Sequence, residues 1–375
     1  MELMKNGLAQ PAISRISNAL TKVINNFDAQ TFEQSCLNGL NELELKARVN
    51  HIISILHDYL PENFPKAAEI LISIADVWDF GNAEDSLKSF AAWPIIDYFS
   101  IYGLEHPEES LSGLKQLTHL HSAEFAIRAF IVKYPEYCLQ QFTLWVKDES
   151  EDVRRLVSEG TRPKLPWGLQ LKQFVVDPTP NLPLLTSLKS DASLYVRRSV
   201  ANHLNDIAKD HPDVVINTCK QWTNDKNKSN KKEIDWVIKH ATRTLVKNGC
   251  AEVFPLLGFT ENPEVCIDEI VLSNSIVKLG GTISFETNIH SVSHKPQHFV
   301  IDYEIHFVKA NGKQQGKVFK LKNVTLQPNE RVKISKSFSF KAITTRKYYI
   351  GEHKIELLVN GKAIAAAKNF DLVSS

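Results

Sequence analysis

Two architectures follow one another in this sequence: an α-solenoid of HEAT-like helical repeats, then an all-β immunoglobulin-like sandwich. Three observations predict them. Apolar residues up to about Gly258 recur at helical spacing, three of the later helices repeat at a near-constant interval, and from Pro263 onward the pattern changes to alternation. The expected domains are therefore 1–258 and 263–375. A chain of 375 residues is long enough to give each of them its own core.

The helical part reads as short helices in pairs. "NFPKAAEILISIADVW", "HPEESLSGLKQLTHL", "YPEYCLQQFTLWVKD" and "HPDVVINTCKQWTND" each carry proline in the first turn, where a missing N–H costs nothing. "EDVRRLVSEGTRP", "LYVRRSVANHLND" and "DWVIKHATRTLVK" align with Val153, Val196 and Val237 in register, at intervals of 43 and 41 residues. A two-helix unit of that length is a solenoid repeat, which buries its apolar stripe only against its neighbours.

The second part alternates in "TISFETNIH", "HFVIDYEIHFV", "KVFKLKNVTL", "RVKISKSFSF", "HKIELLVN" and "KAIAAAKNFDLV". Asn311-Gly312 and Asn360-Gly361 fall between such runs, the strongest short-range signal for a hairpin, and Gly280-Gly281 reads as a turn. Seven or eight strands in about 110 residues fit a sandwich. The antibody Cys…Trp…Cys signature is absent, so patterning alone carries the assignment.

Composition excludes some functions. The formal charge of +1 conceals an asymmetry: from Pro263 on there are 16 basic and 10 acidic residues, so the second part is basic and the first acidic. No run of about 18 apolar residues exists and the start, "MELMKNGLAQPAISRI", has no apolar h-region, so a cytoplasmic protein without a membrane span is expected. Cys36, Cys138, Cys219, Cys250 and Cys266 are widely spaced without a C-x-x-C pair, which suggests buried free thiols. His203, His290, His294 and His298 follow no ligand spacing, and no glycine loop for phosphates occurs; neither a metal site nor a cofactor is expected.

The aligned helices also superpose polar positions. Arg155 falls on Arg198 and Lys239, Glu159 on Asn202 and Arg243, and Pro163 on Asp206 and Lys247. These positions oppose the valine stripe, so stacked repeats would set them in a ladder on one surface. The ladder is basic with carboxylates embedded in it, and Arg154, Arg162, Lys164, Arg197 and the loop Asn224–Lys232 add to its charge. Such a face suits a phosphate backbone; it equally suits a solvated surface laced with i,i+4 pairs. Trp167, between Pro166 and Gly168, reads either as a loop indole that stacks on DNA or as a plug between repeats. The other tryptophans, Trp78, Trp93, Trp145, Trp222 and Trp236, sit in apolar helical patterns and are expected in the core.

"SAEFAIRAF", "DVRRLVSEGTRPKLPWG" and "YVRRSVANHLNDIAKDHPD", followed by the sandwich-like region, resemble the AlkC family of alkylpurine DNA glycosylases, relatives of the AlkD type. The resemblance spans essentially the whole chain and is most specific in "RRLVSEGTRPKLPWG". It implies hydrolysis of the N-glycosidic bond of cationic alkylated bases, such as 3-methyladenine, in double-stranded DNA; a monomer is expected, and both a flipped base and one left near the stack stay open. A cationic base is a good leaving group, so the requirement is negative charge near C1′ and a group that orients water.

Carboxylates on a phosphate-binding face oppose binding and call for another role. On that basis Glu124, Glu159 and Asp206 are the expected catalytic groups, with Glu124 on a helix and Arg128 four residues on. Trp167, Phe125 and Asn202 are expected at the lesion or the DNA, and Arg155, Arg162, Lys164, Arg198, Lys239 and Arg243 at phosphates. The AlkD-type pair of Trp and Asp four residues apart is missing from the segment of Glu124 and Phe125. The sandwich, with Lys341, Arg346 and Lys347 in one run, would clamp DNA or simply cap the last repeat. Without the resemblance, a non-enzymatic repeat scaffold binding protein or nucleic acid fits the same face.

Overall fold

A computed structural model describes residues 3–224, 230–343 and 346–374. The centre of the basic loop Asn224–Lys232 lies outside the described residues. The chain forms two compact units, Met1–Asp210 and His211–Ser375.

The first unit is all helical. Its helices are α1 (Gln10–Val23), α2 (Ala29–Leu37), α3 (Leu45–Asp58), α4 (Phe64–Ser73), α5 (Trp93–Tyr102), α6 (Pro107–Leu117), α7 (Ile127–Lys133), α8 (Pro135–Trp145), α9 (Glu151–Gly160), α10 (Lys172–Val176), α11 (Leu182–Leu188) and α12 (Leu194–Ile207). Pro65, Pro107 and Pro135 sit in first turns as their missing N–H requires. The Asp28 and Asn63 side chains accept backbone N–H bonds at the starts of α2 and α4. Helices α9 and α12 carry the first two aligned repeats and pack on each other, and their Val153, Leu156, Val157, Val196, Val200 and Leu204 are all buried. Arg154 Nε to Asp191 Oδ2, 2.6 Å, ties the start of α9 to the loop before α12.

The second unit begins with α13 (Pro212–Thr223), α14 (Lys231–Ala241), α15 (Arg243–Lys247) and α16 (Val253–Leu256). The third aligned segment breaks at Thr242, whose hydroxyl bonds the Ile238 carbonyl and competes with the helix backbone. Strands β1 (Val265–Ile267), β2 (Val271–Leu272), β3 (Ile276–Lys278), β4 (Thr282–Ser291), β5 (Gln297–Val308), β6 (Gln314–Leu326), β7 (Arg331–Ser339), β8 (Gly351–Val359), β9 (Lys362–Ala363) and β10 (Lys368–Val373) follow. In one sheet β4 pairs with β1, β2 and β7; the other runs β3-β10-β8-β5-β6, with β9 on β8. Both sheets send alternate residues into one core, including Ile283, Phe285, Ile301, Tyr303, Ile355 and Phe370.

The expected turns form where the glycines stand. Asn360 and Gly361 both have positive φ, 46° and 72°, and join β8 to β9. Gly361 also abuts Gly249 after α15 so closely that a Cβ on it would lie 2.3 Å from the Gly249 Cα. The last helices therefore close on the sandwich, and compactness divides the chain near residue 210 although helix gives way to strand only after Leu256. Cys36, Cys138 and Cys219 are buried free thiols, pushed up to about 12 by burial. Cys266 departs from the expectation: it lies exposed on the short strand β1.

Candidate active site

Helix α9 buries its apolar face along its length and its polar face in the last turn. Val153, Leu156 and Val157 pack into the apolar core, while Glu159 is 5 % exposed and Arg162, just past the helix end, 8 %. The ladder expected on one surface is instead an interior seam here, because α12 packs on α9 and Glu124, in the segment before α7, pairs with Arg155. Asp206, near the end of α12, is 2 % exposed.

The seam is an alternation of opposite charges. Arg162 bridges its two carboxylates: Nη1 lies 2.5 Å from Glu159 Oε1, and Nε and Nη2 lie 2.8 and 2.7 Å from Asp206 Oδ2. Glu159 also accepts from the Ser199 hydroxyl at 2.6 Å and faces Arg155 Nη2 at 3.6 Å. Arg155 in turn pairs with Glu124, and Ser122 Oγ donates to the same carboxylate at 2.8 Å. Tyr195 places its ring 4.9 Å from the Arg155 guanidinium, and Lys209 Nζ holds Asp206 Oδ1 at 2.8 Å. Removing one member of such a buried pair strands its partner's charge and costs about 3–5 kcal/mol.

These contacts set the charge states. Burial opposes ionisation of Glu159, but Arg155, Arg162 and the Ser199 hydroxyl outweigh it and hold the carboxyl below its ordinary range. Burial likewise opposes charge on Arg155 and Arg162, and the facing carboxylates hold both above their usual value. Glu159 is thus a fixed anion at neutral pH. Burial drives His203, whose Nδ1 donates to the Ser158 carbonyl at 2.9 Å, down to about 3, so it adds no charge to the seam.

Glu124 stands in the turn that precedes α7 and not on a helix, which corrects the expected pairing with Arg128. Arg128 points inward, fully buried: Nη1 donates to the Gly160 carbonyl at 2.8 Å and Nε to the Leu169 carbonyl at 2.5 Å. It thereby pins both ends of the loop that carries Trp167. Leu171 N–H closes that loop on the Pro163 carbonyl at 3.2 Å. At the tip Trp167 has φ +64°, is 66 % exposed, and has its carbonyl held by Lys46 Nζ at 2.7 Å. The exposure rules out a plug between repeats.

Phe125, beside Glu124, stacks on Trp93 at 5.6 Å, and Lys46 Nζ lies 5.9 Å from its ring. Trp93 donates to Asp97 at 2.7 Å; burial lifts that carboxyl to about 6 despite the indole and Lys46. Glu124, Phe125 and Trp167 are thus presented by elements that Arg155, Arg128 and Lys46 brace.

The other expected residues divide. Arg155 and Arg162, expected at phosphates, are committed to Glu124, Glu159 and Asp206, so they brace carboxylates. Lys164 pairs with Asp210 at 2.6 Å. Arg198 is exposed on α12, one residue before Ser199, and Asn202 is half-buried. Lys239 and Arg243 belong to the second unit, where they line a recess of about 670 Å³ with Lys231, Lys247 and Lys320. Trp78, Trp93, Trp145 and Trp222 are buried as expected, whereas Trp236 is half-buried and stacked on His240. Lys46, Ser122 and Ser199 escaped sequence reasoning, because no local pattern links them to residues so distant in the chain.

Fold and site define a class: a HEAT-like repeat protein that braces a row of carboxylates with arginines and carries an immunoglobulin-like domain in the same chain. The family model of the uncharacterised protein YhaZ C-terminal Ig-like domain matches residues 266–374. YhaZ of Bacillus subtilis (strain 168) is 36 % identical over 321 residues, 86 % of this chain and 85 % of that one. The structure of the alkylpurine DNA glycosylase AlkC from Pseudomonas fluorescens, bound to DNA containing an abasic site analog, matches with a TM-score of 0.89 and 34 % identity. That match covers 99 % of this chain and all of the other. The chain belongs to the AlkC family. None of the helices is long and apolar enough to cross a membrane, among the described residues.

Proposed function

We propose that this protein is a monofunctional DNA glycosylase that hydrolyses the N-glycosidic bond of cationic alkylated bases, such as 3-methyladenine, in duplex DNA. The observation that carries the reading is the match over 99 % of the chain to AlkC solved on DNA with an abasic site analog. The charged seam lies inside that match. The substrate places the enzyme with the DNA, in the cytosol.

The chemistry follows from the charge states. An N3-alkylated adenine leaves as a neutral base, so no proton has to be delivered to it. As the bond breaks, positive charge develops at C1′ and the ring oxygen, and a fixed anion nearby lowers the barrier. Glu124, on the turn next to Phe125, is the group we assign to that electrostatic role and to orienting water. Glu159, anionic behind Arg155, keeps the guanidinium from neutralising Glu124 fully. Asp206 is a positioning residue, acting through Arg162. Trp167 and Phe125 offer aromatic faces to the sugar or the cationic base. Arg198, Lys164 and the cationic recess of the second unit, with Lys239 and Arg243, supply phosphate contacts, and the sandwich acts as a clamp.

Methylated duplex DNA incubated with the protein should release free 3-methyladenine; no release above background refutes the reading. Glu124→Gln should lower the single-turnover rate by at least tenfold, about 1.4 kcal/mol of barrier, while DNA affinity changes little. Equal losses of rate and affinity would make Glu124 structural.

A further inference from the structure

A second cluster of chemistry-bearing residues lies in the sandwich. Glu304 and His306 are two apart on β5, so their side chains share one face of the sheet, and Glu356 on β8 is the direct cross-strand partner of Glu304. One ligand atom from each of the three lies within 4.8 Å of the others. His306 Nε2 contacts a Glu356 carboxylate oxygen and is 3.8 Å from Glu304 Oε2. The three side chains are only 15–22 % exposed. Gly316, opposite His306 on β6, makes the room: a Cβ there would sit 1.9 Å from Glu304 Oε1.

As a purely structural arrangement this is costly. Carboxylates directly opposite each other across strands repel, and one imidazole proton can serve only one of them at a time. Among the described residues, no lysine or arginine pairs with Glu304 or Glu356. A divalent cation would satisfy both.

We propose that Glu304, His306 and Glu356 bind a divalent first-row transition-metal ion of the zinc class. One imidazole nitrogen and two carboxylate oxygens suit zinc, manganese or iron, whereas calcium and magnesium ask for more oxygen donors. Ligands at i and i+2 of one strand and at the facing position of the next converge from one side and leave a fourth position for water. For a tetrahedral ion about 2.1 Å from each donor, the donors lie about 3.4 Å apart. The Glu304–His306 spacing is already near that value, and the His306–Glu356 contact need only open from hydrogen-bond to ligand spacing. On binding, His306 would ligate as a neutral imidazole through Nε2 with its one proton on Nδ1, and the ion would replace the His306–Glu356 hydrogen bond. The ion would pin β5 to β8.

The test uses the full chain, dialysed against chelator and titrated with zinc chloride at pH 7 by calorimetry. We expect saturable binding of one ion that raises the melting temperature, weakened at least tenfold by His306→Ala, Glu356→Gln and Glu304→Gln. Glu304→Gln is the decisive variant because it leaves the His306–Glu356 hydrogen bond intact, so circular dichroism should be unchanged while binding is lost. No saturable binding, or binding that survives Glu304→Gln and His306→Ala, overturns the site; zinc held by thiols such as Cys266 would give the second result.

Discussion

Lys46 shows how a residue distant in sequence can brace the aromatic groups beside the charged seam. Its ammonium holds the Trp167 carbonyl and sits over Phe125, so it joins the two aromatic groups assigned to the substrate. Trp167 has a positive φ, which a non-glycine residue keeps only where its surroundings impose it. Lys46→Met retains the aliphatic stem and removes the donor. It should slow base release about tenfold, equivalent to about 1.4 kcal/mol, with the urea midpoint unmoved. Acrylamide quenching gives an independent readout, because Trp167 is far more exposed than the buried Trp78, Trp93, Trp145 and Trp222. Quenching and rate both equal to wild type would remove Lys46 from the site. The carboxylates Glu124, Glu159 and Asp206 were legible because acidic groups conflict with a phosphate-binding face. That Arg155 and Arg162 serve those carboxylates was not, since i,i+4 spacing describes a solvated pair and a buried one equally well.

Among the elements, the turn Asn360-Gly361 does two jobs. It reverses the chain between β8 and β9, which the Asn-Gly dipeptide announces, and it lies against Gly249 after α15, which no local signal announces. The two tasks separate by mutation. Gly312→Ala, at φ +75° with nothing within 4 Å of the added methyl, should cost only the left-handed backbone penalty, about 1 kcal/mol. Gly361→Ala carries the same penalty and also drives a methyl into the Gly249 backbone, adding about 1–3 kcal/mol of overpacking. Urea unfolding of the two variants tests this; equal losses would mean that the glycine contact contributes nothing. Alternation and helical spacing placed most strands and helices, but the break of the third aligned segment at Thr242 went unread. A threonine that bonds back to the i−4 carbonyl ends a helix only where the following packing favours the break.

At the scale of the molecule, pH reads the buried polar groups. His203 titrates near 6.5 when unfolded and at about 3 when folded, because burial penalises its charged form. Between those values the unfolded chain binds a proton that the folded one does not, so stability falls as pH drops below about 6.5. Asp97, lifted to about 6 by burial, works the other way: the folded carboxyl keeps a proton that the unfolded one releases above about pH 4. A comparison of wild type with His203→Gln cancels the Asp97 contribution. The stability advantage of wild type should shrink by about 1.4 kcal/mol per pH unit below about 6.5, measured by urea unfolding at pH 7 and pH 5. An advantage independent of pH would refute the assignment.

The amino-acid order by itself determined the helical repeats, the change to alternating strands, the hairpin glycines and the presence of carboxylates in a basic ladder. All of these rest on spacings within a few residues or on a repeat of about 40, and such periodicities survive without coordinates. Tertiary structure alone decided that the ladder is a buried seam, that Arg128 and Lys46 hold the Trp167 loop, and that Glu356 meets Glu304 and His306, the last of these fifty residues distant in the chain. Each of these joins groups far apart in sequence, and which of them meet is settled by how helices and strands pack, because packing sets both the distance between charges and the water that would otherwise screen them.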